Sequence, residues 1–103
     1  MSYIEELKDV IRKLHGVESS HFESVPVTET FNGQTVWDGI VEVFKLHGHP
    51  EADTAYAWSH STDDQGVPIR HVTVLHLGLV ISAETAVRAA ILKEFRARAN
   101  AEA

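Results

Sequence analysis

The hydrophobic positions of the first fifteen residues repeat with the period of an α-helix. Ser2 stands where an N-cap belongs, with Glu5 at the capping-box distance, and Gly16 can adopt the left-handed conformation that ends helices. The pattern therefore predicts an amphipathic helix over residues 3–15. Its apolar face, at the spacing i, i+3, i+4, i+7, consists of Tyr3, Ile4, Leu7, Val10, Ile11 and Leu14.

From residue 21 to residue 46 the pattern changes to one that is typical of β-strands. Asn32-Gly33 indicates a two-residue hairpin turn, because both central residues of a type I′ turn need a positive φ. β-Branched and aromatic residues on either side predict strands over 22–31 and 34–46. A two-residue turn sets Val25 opposite Ile40.

In this register neither face of the first hairpin is clearly polar. Either Gly39 marks a β-bulge that redirects the second strand, or another element covers the second face. The first face carries Val25, Val27, Phe31, Val36, Ile40 and Phe44, and the second carries Phe22, Trp37, Val41 and Val43.

The second half of the chain predicts another hairpin and a helix. A loop over 47–53 precedes strands over 54–61 and 69–77, which are joined by the turn residues 63–66. A helix over 83–99 follows, with Ser82 as its N-cap. Its apolar stripe consists of Val87, Ala90, Ile91 and Phe95, and it is widened by Leu92 and Ala99.

The short connections between these elements favour one α+β architecture. We expect a two-layer sandwich in which a four-stranded antiparallel meander is flanked by N- and C-terminal helices (α-β-β-β-β-α), with both helices on one face of the sheet. The alternative is a sheet that lies between the two helices.

The composition is that of an ordinary single domain, which we assign to residues 1–103. Hydrophobic residues make up 44% and charged residues 23% of the 103 positions, which excludes disorder, collagen and coiled coil as descriptions of the whole chain. No apolar run reaches the roughly 18 residues of a membrane span, and the first residues do not resemble a signal peptide. With no cysteine present, we expect a cytoplasmic protein without disulfides or thiolate metal sites.

Charge is distributed unevenly, and it argues against nucleic-acid binding. Residues 18–64 contain nine acidic residues and one basic residue, Lys45. An acidic surface repels phosphate, whereas nucleic-acid-binding proteins need a basic stripe. The only candidate stripe lies near the end of the predicted second helix, where the helix dipole favours cations in any case. It consists of Arg88, Lys93, Arg96 and Arg98.

Seven histidines are an unusual number for this length and suggest a metal site. His47 and His49 flank a glycine and would point the same way in extended backbone. A symmetric second hairpin sets His60 opposite His71, close enough to share zinc or another divalent metal, with Asp63 as an oxygen ligand. The alternative is a set of exposed loop and strand-end histidines, which the absence of a zinc signature favours.

Two further groups of side chains are candidates for chemistry. In the predicted first hairpin Glu23 faces Glu42 on the side of Asp38, so one carboxyl could act as a general acid or base; an acidic strand edge that discourages edge pairing is the alternative. Trp37, Tyr56 and Trp58 suggest an aromatic interaction surface on the sheet. Equally, these three aromatic residues could belong to the core.

Several stretches of sequence together resemble a family of small uncharacterised bacterial proteins. They are TVWDGIVEVFKLHGHP at 35–50, AYAWS at 55–59, VTVL at 72–75 and AVRAAI at 86–91. The resemblance implies a bacterial cytosolic protein. It implies no activity, and it assigns no catalytic residues.

The sequence leaves two main hypotheses for function. The first is a non-enzymatic interaction module that uses the aromatic face of the sheet to bind a second copy of itself, as a homodimer, or an unknown protein partner. The second is a histidine-dependent metal-binding protein with possible hydrolytic activity. An acid–base enzyme that uses Glu23, Asp38 or Glu42 would need a pocket the size of a ligand.

Overall fold

The computed structural model describes residues 2–61, 66 and 69–102. Its first element is helix α1, Tyr3–His15, which begins and ends at the predicted capping residues. Ser2 Oγ accepts a hydrogen bond from the Glu5 backbone N–H at 3.2 Å. Gly16 adopts a φ of 74° and ends the helix. The described elements that follow are β1 (Glu18–Phe31), β2 (Gln34–His47), β3 (Thr54–Ser61), β4 (Ile69–Leu75) and α2 (Ala83–Glu102).

The four strands form one antiparallel sheet in the order β1-β2-β3-β4, so the predicted α+β class and the order α-β-β-β-β-α are confirmed. Side chains on the two faces of this sheet belong to two separate hydrophobic clusters. Leu7 and Ile11 of α1 pack against one face with Phe44, whereas Val87 of α2 packs against the other with Trp58. The sheet therefore lies between the helices. This is the alternative arrangement, and the expected two-layer sandwich with both helices on one face is wrong. The strands carry apolar side chains on both faces, so each face is covered by a helix.

The first hairpin has the predicted turn but a different register beyond it. Asn32 and Gly33 have φ values of 53° and 77°, as a type I′ turn requires. The pairing shifts between Glu29 and Thr30, which leaves Val36 without a partner in β1. The bulge is therefore at Val36 and not at Gly39. Of the two explanations that the sequence allowed for the apolar faces, the second is correct, because a helix packs on each face of the sheet.

This bulge changes which side chains share a face. Val25 pairs with Val41, and the predicted partner Ile40 lies opposite Pro26. Val36 and Trp37, although consecutive, both line clefts beside α2. Ile40 and Phe44 lie on the α1 face, so grouping them with Val25 is wrong. A second bulge, at Phe22, restores the original register near the start of β1.

The second hairpin is also one residue out of the predicted register. His60 pairs with Arg70, and Ser59 pairs with His71. Because side chains alternate along a strand, this one-residue shift places His60 and His71 on opposite faces of the sheet. The prediction that the two histidines face each other is therefore wrong.

The link between the two hairpins is short. β2 and β3 pair only over residues 42–45 and 54–57, whereas β1 and β2 pair along almost their whole length. Trp37 of β2 and Trp58 of β3 meet beyond the end of this short ladder. Their rings lie edge to face, with centroids 5.8 Å apart and an interplanar angle of 72°.

Some predicted features lie outside the described residues. They are Asp63, most of the turn over 63–66, and the side chains of Phe95, Arg96, Arg98 and Ala99. Among the residues that the structure describes, no helix combines the length and the hydropathy that a membrane crossing requires.

Candidate functional site

The histidines of the 47–53 loop are held apart by Gly48. That glycine has a φ of 87°, which interrupts the extended backbone that would have aligned the two rings. His47 Nε2 lies 2.7 Å from Ser20 Oγ. His49 Nδ1 instead accepts hydrogen bonds from the backbone N–H groups of Glu51 and Ala52, at 3.1 and 3.0 Å. A neutral imidazole has a free lone pair on only one ring nitrogen. In His49 that nitrogen is Nδ1, and its lone pair stabilises the loop instead of binding a metal.

The other two predicted ligands also lie apart. His71 Nδ1 is hydrogen-bonded to Ser59 Oγ on the α1 face. His60 lines a small cleft of about 150 Å³ on the α2 face, beside both tryptophans. Within the described part of the chain, no group of three or more potential ligands lies close enough to hold a metal ion. The structure thus does not bring His47, His49, His60 and His71 together.

Two of the three predicted interaction residues are in the core. Tyr56 and Trp58 are 5% and 2% exposed and pack beneath α2. Trp37 is half-buried against the same cluster. Assigning Tyr56 and Trp58 to an exposed binding surface is therefore wrong for this chain, and their alternative assignment to the core is correct.

The predicted pair of carboxylates is also separated by the register. Glu23 pairs with Val43 and Glu42 with Ser24, so the two acidic side chains are on opposite faces. Glu42 is buried and accepts hydrogen bonds from Ser24 Oγ and from His21 Nε2, the latter at 2.9 Å. Asp38 accepts a hydrogen bond from Thr28 at 3.0 Å.

The cluster of Ser24, His21 and Glu42 contains the residue types of a catalytic triad but not the geometry. In a triad the histidine contacts the acid through one ring nitrogen and the serine through the other. Here Nε2 of His21 makes the contact with Glu42 and also lies 3.5 Å from Ser24 Oγ. The serine donates directly to the carboxylate, so this cluster stabilises a buried charge and does not activate a nucleophile.

An apolar cleft of about 590 Å³ lies between the end of the first hairpin and α2. Phe31 is 69% exposed, Leu92 is 54% exposed and Val36 is 47% exposed. Contiguous exposed apolar side chains of this kind mark interaction sites more often than isolated ones do. We call this surface the hairpin-end patch; it consists of Phe31, Val36, Ile91 and Leu92.

One ion pair borders the hairpin-end patch. Arg88 Nε lies 2.7 Å from Glu29 Oε1, although without the geometry of a hydrogen bond. Glu29 is 8% exposed, and Arg88 is largely exposed. Because acid and base neutralise each other, the lining of the patch carries no unbalanced charge.

Sequence reasoning identified the members of this patch separately but did not bring them together. Phe31 and Val36 were both placed on one face of the hairpin, which is correct. The bulge that turns Val36 toward α2 has no glycine or proline to mark it. Ile91 was assigned to the core stripe of the second helix, and it both packs against the core and lines the patch.

Comparisons of the chain with models of protein families, with curated proteins and with solved structures found no match. The resemblance to a bacterial family stays a prediction, as do the bacterial origin and the cytoplasmic location.

Proposed function

We propose that the protein is a binding module that associates with a second copy of itself through the hairpin-end patch. The observation that carries this proposal is the exposure of Phe31, Val36 and Leu92 around one apolar cleft. Burying these side chains contributes roughly 25 cal/mol for each Å² of apolar surface removed from water. The proposed interaction surface is the hairpin-end patch and not Tyr56 and Trp58, because those two side chains are buried.

A second copy is the occupant that the charges favour. In a two-fold interface the same surface meets itself, so any unbalanced charge on it would meet a like charge. The patch avoids this repulsion because Glu29 and Arg88 form their own ion pair. The whole chain carries a net charge of −6, so a neutral surface is the place where two copies can approach.

The size of the patch sets the expected affinity. Stable complexes bury about 800 Å² on each partner, and four side chains provide only part of that area. We therefore expect reversible association in the micromolar range rather than an obligate dimer.

Sedimentation velocity across the micromolar range tests the proposal. The wild-type chain should shift from monomer to dimer as its concentration rises. Val36→Lys and Leu92→Glu should each stay monomeric, because a charge would have to be buried in the interface. Leu14→Glu is the matched control, since Leu14 is 64% exposed on α1, on the other side of the sheet.

Two results would refute self-association through this patch. One is a wild-type chain that remains monomeric throughout the concentration range. The other is dimerisation that persists unchanged in both patch variants. Circular dichroism on each variant establishes that the fold is retained.

A further inference from the structure

Another cleft, of about 340 Å³, lies at the other end of the α2 face. It is formed by the β4–α2 connection and by residues of β1, β2 and β3. It shares no lining residue with the hairpin-end patch. We call it the acidic cleft, and the residues on which the argument depends are Phe22, Glu23, Lys45, Tyr56, His76 and Glu84.

The bulge in β1 supplies two of these side chains. Phe22 has no partner in β2, and the pairing resumes at Glu23. A bulge of this kind redirects side chains from simple alternation, and the consecutive residues Phe22 and Glu23 both line the cleft. An aromatic ring and a carboxylate thus lie side by side at its rim.

Tyr56 lines the cleft from the core of the protein. Its side chain is buried, and its hydroxyl lies 2.7 Å from Nδ1 of His76. A buried tyrosine combines an apolar ring with one polar atom that needs a partner. The hydroxyl and the imidazole therefore form a hydrogen-bonding pair in a wall that contains both apolar and charged side chains.

Carboxylates outnumber ammonium groups in this cleft, because Glu23 and Glu84 line it with a single lysine, Lys45. Burial raises the pKa of Tyr56, and the charges of Asp53, Glu23 and Glu84 raise the pKa further. All three carboxylates are thus close enough to disfavour another negative charge at the hydroxyl. The same field stabilises a positive charge placed in the cleft.

Lys45 makes a cation–π contact with one of the aromatic residues of the cleft. The ammonium group of Lys45 lies 4.8 Å from the centroid of the Phe22 ring, which is within the range of a cation–π interaction. The Phe22 ring next to Glu23 is therefore a surface against which an ammonium group packs, and in the free protein that group is Lys45.

The start of α2 does not reverse this preference. A helix N-terminus favours anions through its free N–H groups and its dipole. Here the side chain of Ser82 accepts a hydrogen bond from the Thr85 N–H at 3.3 Å, and Glu84 places a carboxylate in the first turn. The capped and acidic terminus leaves an anion with little to bind.

We propose that the acidic cleft binds a small organic cation, an ammonium group attached to an apolar body. The ammonium would lie among Glu23, Glu84 and the Tyr56–His76 pair, and the apolar part would pack against Phe22 and Ile81. This proposal is independent of self-association, because it uses different residues at the other end of the α2 face.

Titration with phenethylammonium, followed in a two-dimensional amide spectrum, tests the proposal. We expect saturable shifts at residues that line the cleft, and none with 2-phenylethanol, a neutral probe of similar shape. Glu23→Gln and Glu84→Gln should each weaken binding roughly two- to fivefold, the usual effect of one exposed charge pair. Glu51→Gln, in the 47–53 loop, is the control and should leave the affinity unchanged.

Each alternative outcome overturns the proposal. Absence of saturable shifts with phenethylammonium rules out an ammonium site. Equal binding of 2-phenylethanol reveals an apolar cleft without charge selectivity. Undiminished binding in the Glu23→Gln/Glu84→Gln double variant shows that these carboxylates do not hold the cation. The Gln substitutions alter no buried packing, so the fold is expected to persist in every variant.

Discussion

Trp37 depends for its position on a glycine two residues further along β2. A Cβ atom at position 39 would lie 3.1 Å from Cη2 of Trp37, so the indole ring occupies the space above the glycine. The same ring packs edge to face against Trp58. Gly39 is therefore required for the packing of Trp37, and it does not mark the bulge that was one of the two alternatives from the sequence.

We expect Gly39→Ala to destabilise the protein by a net amount of about 1 kcal/mol. Overpacking against the indole should cost about 2 kcal/mol, and replacing a strand glycine should return about 0.5–1 kcal/mol, so the two effects oppose each other. Contact with Trp58 restrains the indole, and the steric cost should therefore dominate. Urea unfolding measures the change, and a shift in tryptophan emission reports the displaced ring. An unchanged or increased stability would show that Trp37 moves aside freely.

His15 links the end of α1 to the edge strand β4. Its Nε2 lies 2.7 Å from Thr73 Oγ1. Burial lowers the pKa of His15, and the nearby His49 lowers it further. Below about pH 6.5, His15 therefore binds a proton more readily in the unfolded chain than in the folded protein.

The stability of the protein should consequently fall as the pH drops below the unfolded pKa of histidine. In His15→Gln the decrease between neutral and mildly acidic pH should be less steep, because this proton uptake is removed. Free energies of unfolding from urea titrations at a series of pH values provide the measurement. Equal slopes for the variant and the wild-type chain would contradict the assignment to His15.

Among the elements, the first hairpin contributes most of what is distinctive in this fold. It has two bulges, at Phe22 and at Val36. Because of them, the consecutive residues Phe22 and Glu23, and likewise Val36 and Trp37, line clefts on the same α2 face. The ion pair of Glu29 with Arg88 then joins β1 to α2. Alternation along the strands and periodicity in the helix predict each element, but they do not predict this contact between the two.

Arg88→Ala should destabilise the monomer by about 1 kcal/mol, because it leaves the nearly buried carboxylate of Glu29 without its partner. In a double-mutant cycle with Glu29→Gln, the double variant should lose less than the sum of the two single changes. Lys13→Ala breaks the exposed pair with Asp9 and serves as the control with a smaller effect. Additive losses in the cycle would show that the Glu29–Arg88 pair contributes nothing.

For the molecule as a whole, one sheet separates two small cores. Ile11 and Phe44 belong to the core beneath α1, whereas Val41 and Val87 belong to the core beneath α2. The core beneath α2 includes side chains of all four strands, and the core beneath α1 includes side chains of β2, β3 and β4. The two proposed binding surfaces lie at opposite ends of the α2 face, so the α1 face can serve as their structural support.

Substitutions in the two cores should have additive effects on stability. Ile11→Val should cost about 1 kcal/mol and Val87→Ala about 2 kcal/mol, from lost burial and residual cavities. Since Ile11 and Val87 belong to separate clusters on opposite faces of the sheet, the double variant should equal the sum within about 0.5 kcal/mol. Chemical denaturation of the four proteins gives the comparison. A larger discrepancy would mean that the sheet transmits strain between its faces.

The sequence by itself determined the elements and their order. Helix α1, the turn at Asn32-Gly33, the antiparallel meander and the start of α2 all follow from local signals such as caps, periodicity and turn residues. These signals act over a few residues, so a single sequence is sufficient to predict them. The core role of Leu7, Ile11 and Val87 follows from the same periodicity.

Only the tertiary structure decided the register of both hairpins, the face that each helix covers and the clefts that result. An unpaired residue such as Val36 fits the sequence pattern of a strand as well as a paired residue does. It nevertheless changes the pairing, and so the face, of every later side chain in the strand. For that reason the predicted pairing of Glu23 with Glu42 was wrong. The predicted pairing of His60 with His71 was wrong because β3 and β4, which have no bulge, pair one residue away from the symmetric register. The Tyr56–His76 pair joins residues twenty positions apart, and only packing of the chain across the sheet brings them into one cleft.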